Sequence, residues 1–143
     1  MFSTTTEYAL RALTTLAAQP RGVAILGREL SRQTAVPGSY LTKIMLALRN
    51  AGLVSAARGS DGGYRLARGA SSIRLLEVVQ LFQGMTPQRR CLLSPTQECS
   101  EANPCSAHHA WKGLRAEYIN FLERVTLADI SNPVPPAPGG PTS

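Results

Sequence analysis

The 143-residue chain has room for one ordinary domain core and an appendage, but not for two enzyme-sized domains. Its 43% hydrophobic content is that of a soluble globular protein, and no apolar run approaches the roughly 20 residues of a membrane helix. Residues 1–72 carry nine Lys or Arg (Arg11, Arg21, Arg28, Arg32, Lys43, Arg49, Arg58, Arg65, Arg68) against three acids (Glu7, Glu29, Asp61), which accounts for the whole net charge of +6 and is the footprint of a polyanion-binding module.

Met1 to Glu7 has neither the basic region nor the apolar region of a secretion signal, so the expected compartment is the cytoplasm. The first predicted helix covers residues 4–18, where Ala9, Leu13, Leu16 and Ala17 recur at helical spacing until Pro20 and Gly22 stop the pattern. A short second helix is expected over 25–33, ending at the turn-forming stretch Thr34 to Gly38. The third starts at Ser39, taken as its N-cap, with Leu41, Ile44, Leu48 and Ala51 on one face and Gly52 as the stop. Tyr40, Lys43, Ala47 and Asn50 are left facing a partner.

The period then shortens. Leu53 to Ala56 and Gly63 to Leu66 read as strands around the glycine-rich turn Arg58-Gly59-Ser60-Asp61-Gly62, a β-hairpin. Helix, helix, turn, helix and hairpin is the order of a winged helix-turn-helix, whose last helix enters the major groove and whose wing touches the backbone or minor groove. The predicted fold class is therefore mainly α with a small β-hairpin wing, a winged helix-turn-helix followed by a long C-terminal dimerisation helix. A further helix over 73–83 closes at Gly84. From 106 to about 126, Trp111, Leu114, Tyr118, Phe121 and Val125 form an apolar seam that wants a partner helix. The tail from Ser131 holds five prolines and two glycines in 13 residues, a composition expected to stay disordered. The expected division is 1–70 for DNA reading, 71–130 for a sensor loop and dimerisation helix, and 131–143 for the tail.

Cys91, Cys99 and Cys105 lie in a stretch rich in Ser, Pro and Asn, and His108 follows, placing four soft or borderline ligands within 18 residues. No pair of cysteines has the two-to-four-residue spacing usual in structural zinc sites. Wide spacing suits a cluster, which is larger than one ion and must be wrapped.

These residues resemble the winged-helix iron–sulfur-dependent repressors of the IscR, NsrR and RirA type, over residues 1 to about 130. The resemblance is carried by Tyr8-Ala9-Leu10, Ser39-Tyr40-Leu41, the wing motif Arg58-Gly59-x-x-Gly62-Gly63-Tyr64 and the cysteine segment running into Thr126-Leu127-Ala128-Asp129. It implies a homodimer with exchanged long helices, a two-fold symmetric double-stranded DNA operator and a bound iron–sulfur cluster. By position, Cys91, Cys99 and Cys105 match the three cluster cysteines. His108 matches a fourth ligand of the IscR pattern, whereas Glu7 is the counterpart of the acidic ligand in NsrR-like members. The IscR-like pattern implies 2Fe–2S, and the wide gap between Cys91 and Cys99 leaves 4Fe–4S open. On the DNA side, Ser39, Thr42 and Lys43 match base-reading positions and Arg58 the minor-groove arginine of the wing, while Tyr40 and Arg49 serve packing or phosphates. The resulting expectation is a transcription repressor, not an enzyme, that senses iron, redox state or nitric oxide through its cluster. The alternatives are a regulator using thiol oxidation or zinc, and, from another class, an oxidoreductase or cluster carrier.

Overall fold

A computed structural model of the chain describes residues 2–20, 22–57, 63–83 and 106–131. Helix α1 (Thr4–Ala17) begins where the Ser3 hydroxyl accepts from the Thr6 backbone N–H at 3.1 Å. It buries Thr6, Ala9, Ala12, Leu13 and Leu16, the face around which the core is built.

Helix α2 (Gly27–Thr34) starts two residues later than the sequence pattern suggests. Ile25 is not helical: its N–H and C=O pair with Tyr64 at 2.9 and 2.8 Å, so the chain lays an isolated bridge against the wing before it turns into α2. The turn into α3 (Gly38–Asn50) puts Ala35 in the left-handed region at φ 58°. The Ser31 hydroxyl fixes that turn by donating to the Val36 carbonyl at 2.5 Å, and the Thr34 hydroxyl by accepting from the Val36 N–H at 3.4 Å.

Ser39 is not the N-cap of α3. Pro37 occupies the cap position, its carbonyl accepting from the Leu41 N–H at 2.9 Å, so the cap lies two residues earlier than expected and no side chain caps the helix. Leu41, Ile44, Met45 and Leu48 form the buried stripe; Ala51, expected on it, is exposed because it already belongs to the closing turn. That closure is a Schellman motif: the Leu53 N–H bonds the Leu48 carbonyl at 2.9 Å and the Gly52 N–H bonds that of Arg49 at 3.0 Å. Glycine serves here because φ is 79°.

The wing strands are β1 (Val54–Ala56) and β2 (Tyr64–Leu66), antiparallel in the register Val54 to Leu66, Ser55 to Arg65 and Ala56 to Tyr64. With Ile25 on its other side, β2 lies in the middle of a minimal three-stranded arrangement. This closeness needs Gly63, where an added Cβ would lie 2.7 Å from the Ile25 carbonyl oxygen.

After a 3-10 turn (Ala70–Ser72), the predicted helix over 73–83 is shorter at its start: α4 spans Leu75–Gln83. Ile73 and Arg74 run extended beside the segment that follows the last long helix. Leu75 N–H bonds the Val125 carbonyl at 2.9 Å and Leu127 N–H bonds that of Ile73 at 2.9 Å. Glu77, at the third position of α4, reaches back to the Arg74 N–H at 3.0 Å, half of a capping box.

The long helix α5 spans His108–Arg124, inside the expected limits. A sixth helix, α6 (Leu127–Ser131), was not expected; Thr126 and Asp129 form its capping box, with Thr126 N–H to Asp129 Oδ2 at 2.9 Å. Ser131 therefore belongs to a helix, and the expected disordered tail from 132 on lies outside the described residues. Leu122 of α5, Leu127 of α6 and Ile73, Leu75 and Val78 join the same buried cluster as Ala9 and Leu13. No helix among the described residues is long and apolar enough to cross a membrane.

Candidate nucleic-acid interface and sensor segment

The buried stripe of α3 determines what its other side presents. With Leu41, Ile44, Met45 and Leu48 inward, Ser39, Tyr40, Thr42, Lys43, Arg49 and Asn50 are all exposed. The six DNA-contact candidates thus divide cleanly: five lie on the open face or ends of α3, and Arg58 lies outside the described residues.

Their chemistry differs. The Thr42 hydroxyl donates to the Gly38 carbonyl at 2.9 Å, so its proton is committed within the helix and it offers a partner its lone pairs and methyl. Tyr40 stands edge-on to Tyr8 of α1, with ring centroids 6.0 Å apart, and the Arg11 guanidinium carbon lies 5.6 Å from the Tyr8 ring centroid. Tyr40 therefore packs at its root while 54% of it remains exposed. Lys43 and Arg49 extend into solvent.

Ion pairing sorts the basic residues further. Arg32 is bound by Glu29 on the same helix, and Arg68 pairs with Glu77 at 2.7 Å. The Arg32 hydrogen bond first, then that of Gln33, holds the Glu29 carboxyl down to about 2, so this pair is charge-neutral at physiological pH. Arg11, Arg28, Lys43, Arg49 and Arg65 are exposed and form no ion pair among the described residues. Sequence reading did not single out Arg11 and Arg28 as contacts. Arg28 borders a cleft of about 430 Å³ where Gly27 and Ser31 of α2 face Gly38 and Thr42 of α3, with Tyr64 of the wing as one wall. The available signal was position: a basic residue in the first turn of the first helix of a helix-turn-helix sits where backbone phosphates pass.

On the sensor side, Cys91, Cys99 and Cys105 lie outside the described residues. The segment that carries them leaves α4 at Gln83 and returns just before α5. His108 is the first residue of α5 and is buried at 8% exposure, whereas His109 is exposed, the two rings 5.5 Å apart and nearly perpendicular. Glu7 is exposed in the first turn of α1. Phe2, just ahead of α1, meets Tyr118 of α5 with ring centroids 6.3 Å apart, about 15 Å along the α5 axis from His108 at 1.5 Å per residue.

A helix-turn-helix with a basic, solvent-facing third helix and an adjoining β-wing defines the class: a winged-helix DNA-binding transcription regulator. The chain belongs to the Rrf2 family, described as iron-dependent transcriptional regulators, whose model matches residues 2–133. IscR of Cereibacter sphaeroides is 35% identical over 143 residues, covering 97% of this chain and 92% of that protein. CymR of Staphylococcus aureus in its oxidized form aligns with a TM-score of 0.75 at 25% identity, covering 94% of this chain and 98% of that one. CymR of B. subtilis, described as the global cysteine regulator, aligns at 0.76 with 24% identity over 92% of this chain and 95% of its own. The family and IscR are regulators of transcription, which displaces the oxidoreductase or cluster-carrier alternative.

Proposed function

We propose that the protein is a homodimeric repressor whose affinity for a two-fold symmetric operator is set by an iron–sulfur cluster. The observation that carries this is the donor set: three cysteines and His108 within 18 residues, the imidazole buried at the first position of a 17-residue helix. Thiolates with one imidazole suit iron in a cluster, and the positive end of a long helix favours the negative charge that thiolate ligation brings. Cys91, Cys99, Cys105 and His108 would hold the group, with Glu7 as the alternative to His108, and 2Fe–2S is the type we assign ahead of 4Fe–4S. When bound, the cluster supplies a centre whose assembly, loss or oxidation responds to iron, redox state or nitric oxide.

Residues 1–70 read DNA in this proposal, and 71–130 sense and dimerise. Ser39, Thr42 and Lys43 face base edges, Tyr40 and Arg49 meet phosphates, and Arg58 reaches from the wing. Dimerisation is supported by α5, which leaves Leu114 and Phe121 at 47% and 41% exposure. On the same helix, Arg115 Nε and the Tyr118 hydroxyl are buried with no hydrogen-bond partner among the described residues. A second copy of α5 would cover Leu114 and Phe121. A regulator working inside the cell on DNA is consistent with the expected cytoplasmic location.

Anaerobic purification followed by absorption spectroscopy, iron and sulfide analysis and operator titration of the same sample tests the proposal. Brown protein whose operator affinity changes on cluster removal is expected, with His108→Ala altering the spectrum while leaving the apoprotein's DNA binding intact. A second reading, sensing by thiol oxidation, is favoured by the existence of an oxidized form of the S. aureus CymR fold. Colourless protein whose DNA affinity follows cysteine oxidation would establish that reading instead.

A further inference from the structure

The exposed face of α3 carries a side chain that neither charge nor core packing accounts for. Leu46 is 55% exposed, the most of any large hydrophobic residue among the described ones. At about 100° per residue, the meridian opposite the buried stripe of Leu41, Ile44, Met45 and Leu48 runs through Ser39, Leu46 and Asn50, flanked by Thr42 and Lys43. An apolar group therefore lies at the centre of the surface that faces DNA, two turns beyond the first reading residues and among unpaired cations.

We propose that Leu46 is a specificity-determining residue that reads the C5-methyl group of a thymine in the major groove. The surface favours this occupant over another protein. Lys43 and Arg49, one turn to either side of the leucine on α3, set beside it positive charge that would have to be desolvated against an apolar partner, whereas duplex DNA supplies phosphates for the cations and a groove floor for the apolar tip. Along that floor the thymine methyl is the one apolar group a base edge presents. Thr42 is consistent with the same role, since its proton is bound to the Gly38 carbonyl and its methyl remains available beside Leu46. The inference rests on the proposal that α3 reads the operator, and deepens it by assigning one chemical feature of the sequence read.

The test selects binding sites for the full chain from a randomised duplex library. It then replaces each thymine of the selected site singly with uracil, which removes only the methyl group. Wild-type affinity should fall about three- to tenfold at one thymine in each half-site, the scale of one buried methyl group. Leu46→Ala should bind the thymine and uracil duplexes equally, and Leu46→Met should restore the preference. As an exposed position, 46 tolerates these changes, which thermal unfolding checks directly. If every uracil replacement affects wild type and Leu46→Ala alike, or none affects wild type, the assignment is overturned while operator reading stands. If the library yields no enriched sequence, the operator proposal falls, and this inference with it.

Discussion

Gln83 closes α4 at the point where the cysteine segment begins, and it holds the start of α1. Its Oε1 accepts from the Ser3 backbone N–H at 2.8 Å and from the Thr6 hydroxyl at 2.8 Å. Because the single Thr6 proton goes to Gln83, the 2.9 Å contact between the Ser3 and Thr6 hydroxyls must have Ser3 as donor. The protons then run in one direction, Ser3 to Thr6 to Gln83. Thr6 is 0% exposed, so truncating Gln83 to Ala removes two hydrogen bonds and the acceptor of a buried hydroxyl. At about 0.5–1.5 kcal/mol per bond plus part of the penalty for a stranded donor, the expected loss is about 2 kcal/mol. For a chain of this length that lowers Tm by about 6–8 °C. Thr6→Val keeps the shape and removes the hydroxyl, at a cost of about 1 kcal/mol. In urea unfolding followed by circular dichroism, the double variant should recover about 1 kcal/mol of coupling relative to the sum of the single changes. A loss below about 0.5 kcal/mol for Gln83→Ala, or strict additivity, would refute the clamp.

Gly63→Ala should destabilise the fold by about 1–3 kcal/mol, because its Cβ would meet the Ile25 backbone at 2.7 Å and cannot be relieved by a rotamer change; preserved stability together with unchanged amide protection at Ile25 and Tyr64 would contradict this. Ala35→Gly should stabilise by about 0.5 kcal/mol, the relief at φ 58° exceeding the added entropy of the unfolded chain, and a lowered urea midpoint would count against it. The Glu77 carboxyl is partly desolvated, which pushes its pKa up, yet the Arg74 N–H and the Arg68 guanidinium leave it below the usual carboxylate value. Its contribution is therefore complete above that usual value and lost as pH falls through the lowered one, so wild type should exceed Glu77→Gln in stability near neutrality and converge with it as pH falls below the usual carboxylate range. Parallel stability curves across that range would exclude the linkage.

How far the sequence led depended on whether the deciding interaction was local. The interior of α3 was legible because Leu41, Ile44 and Leu48 repeat at helical spacing, and the wing because Val54 and Leu66 flank a glycine-rich turn. The start of α3 was not: a serine before a helical run looks like a cap, but the cap position is set by the turn that Ser31 and Thr34 tie down from α2. Ile25 read as helical because nothing nearby in sequence announces Tyr64, 39 positions away, as its partner. The extended pairing of Ile73 to Leu75 with Val125 to Leu127 was hidden in the same way. The short α6 could have been found, since Thr126-x-x-Asp129 is a capping-box signature. Of the candidate site, the face of α3 followed from burial periodicity, while Leu46 was passed over because charge drew attention to its neighbours.

If residues 71–130 sense, as proposed, the clamp and the aromatic contact at Tyr40 make α1 the element through which the two halves would communicate. Gln83 fixes its first turn from the end of α4. One turn later, Tyr8 meets Tyr40 at the head of the recognition helix. A ligand at the cysteine segment changes operator affinity only to the extent that it binds the DNA-competent arrangement differently from the alternative one. Linkage makes that coupling reciprocal: if the cluster strengthens operator binding, the operator must retain the cluster by the same factor. The Thr6 bond to Gln83, 2.8 Å long and part-buried, lies at the end of α4 and is the connection through which that coupling would pass. A chain in which that bond is removed should therefore keep its recognition face and its ligand set and still lose part of the coupling between them.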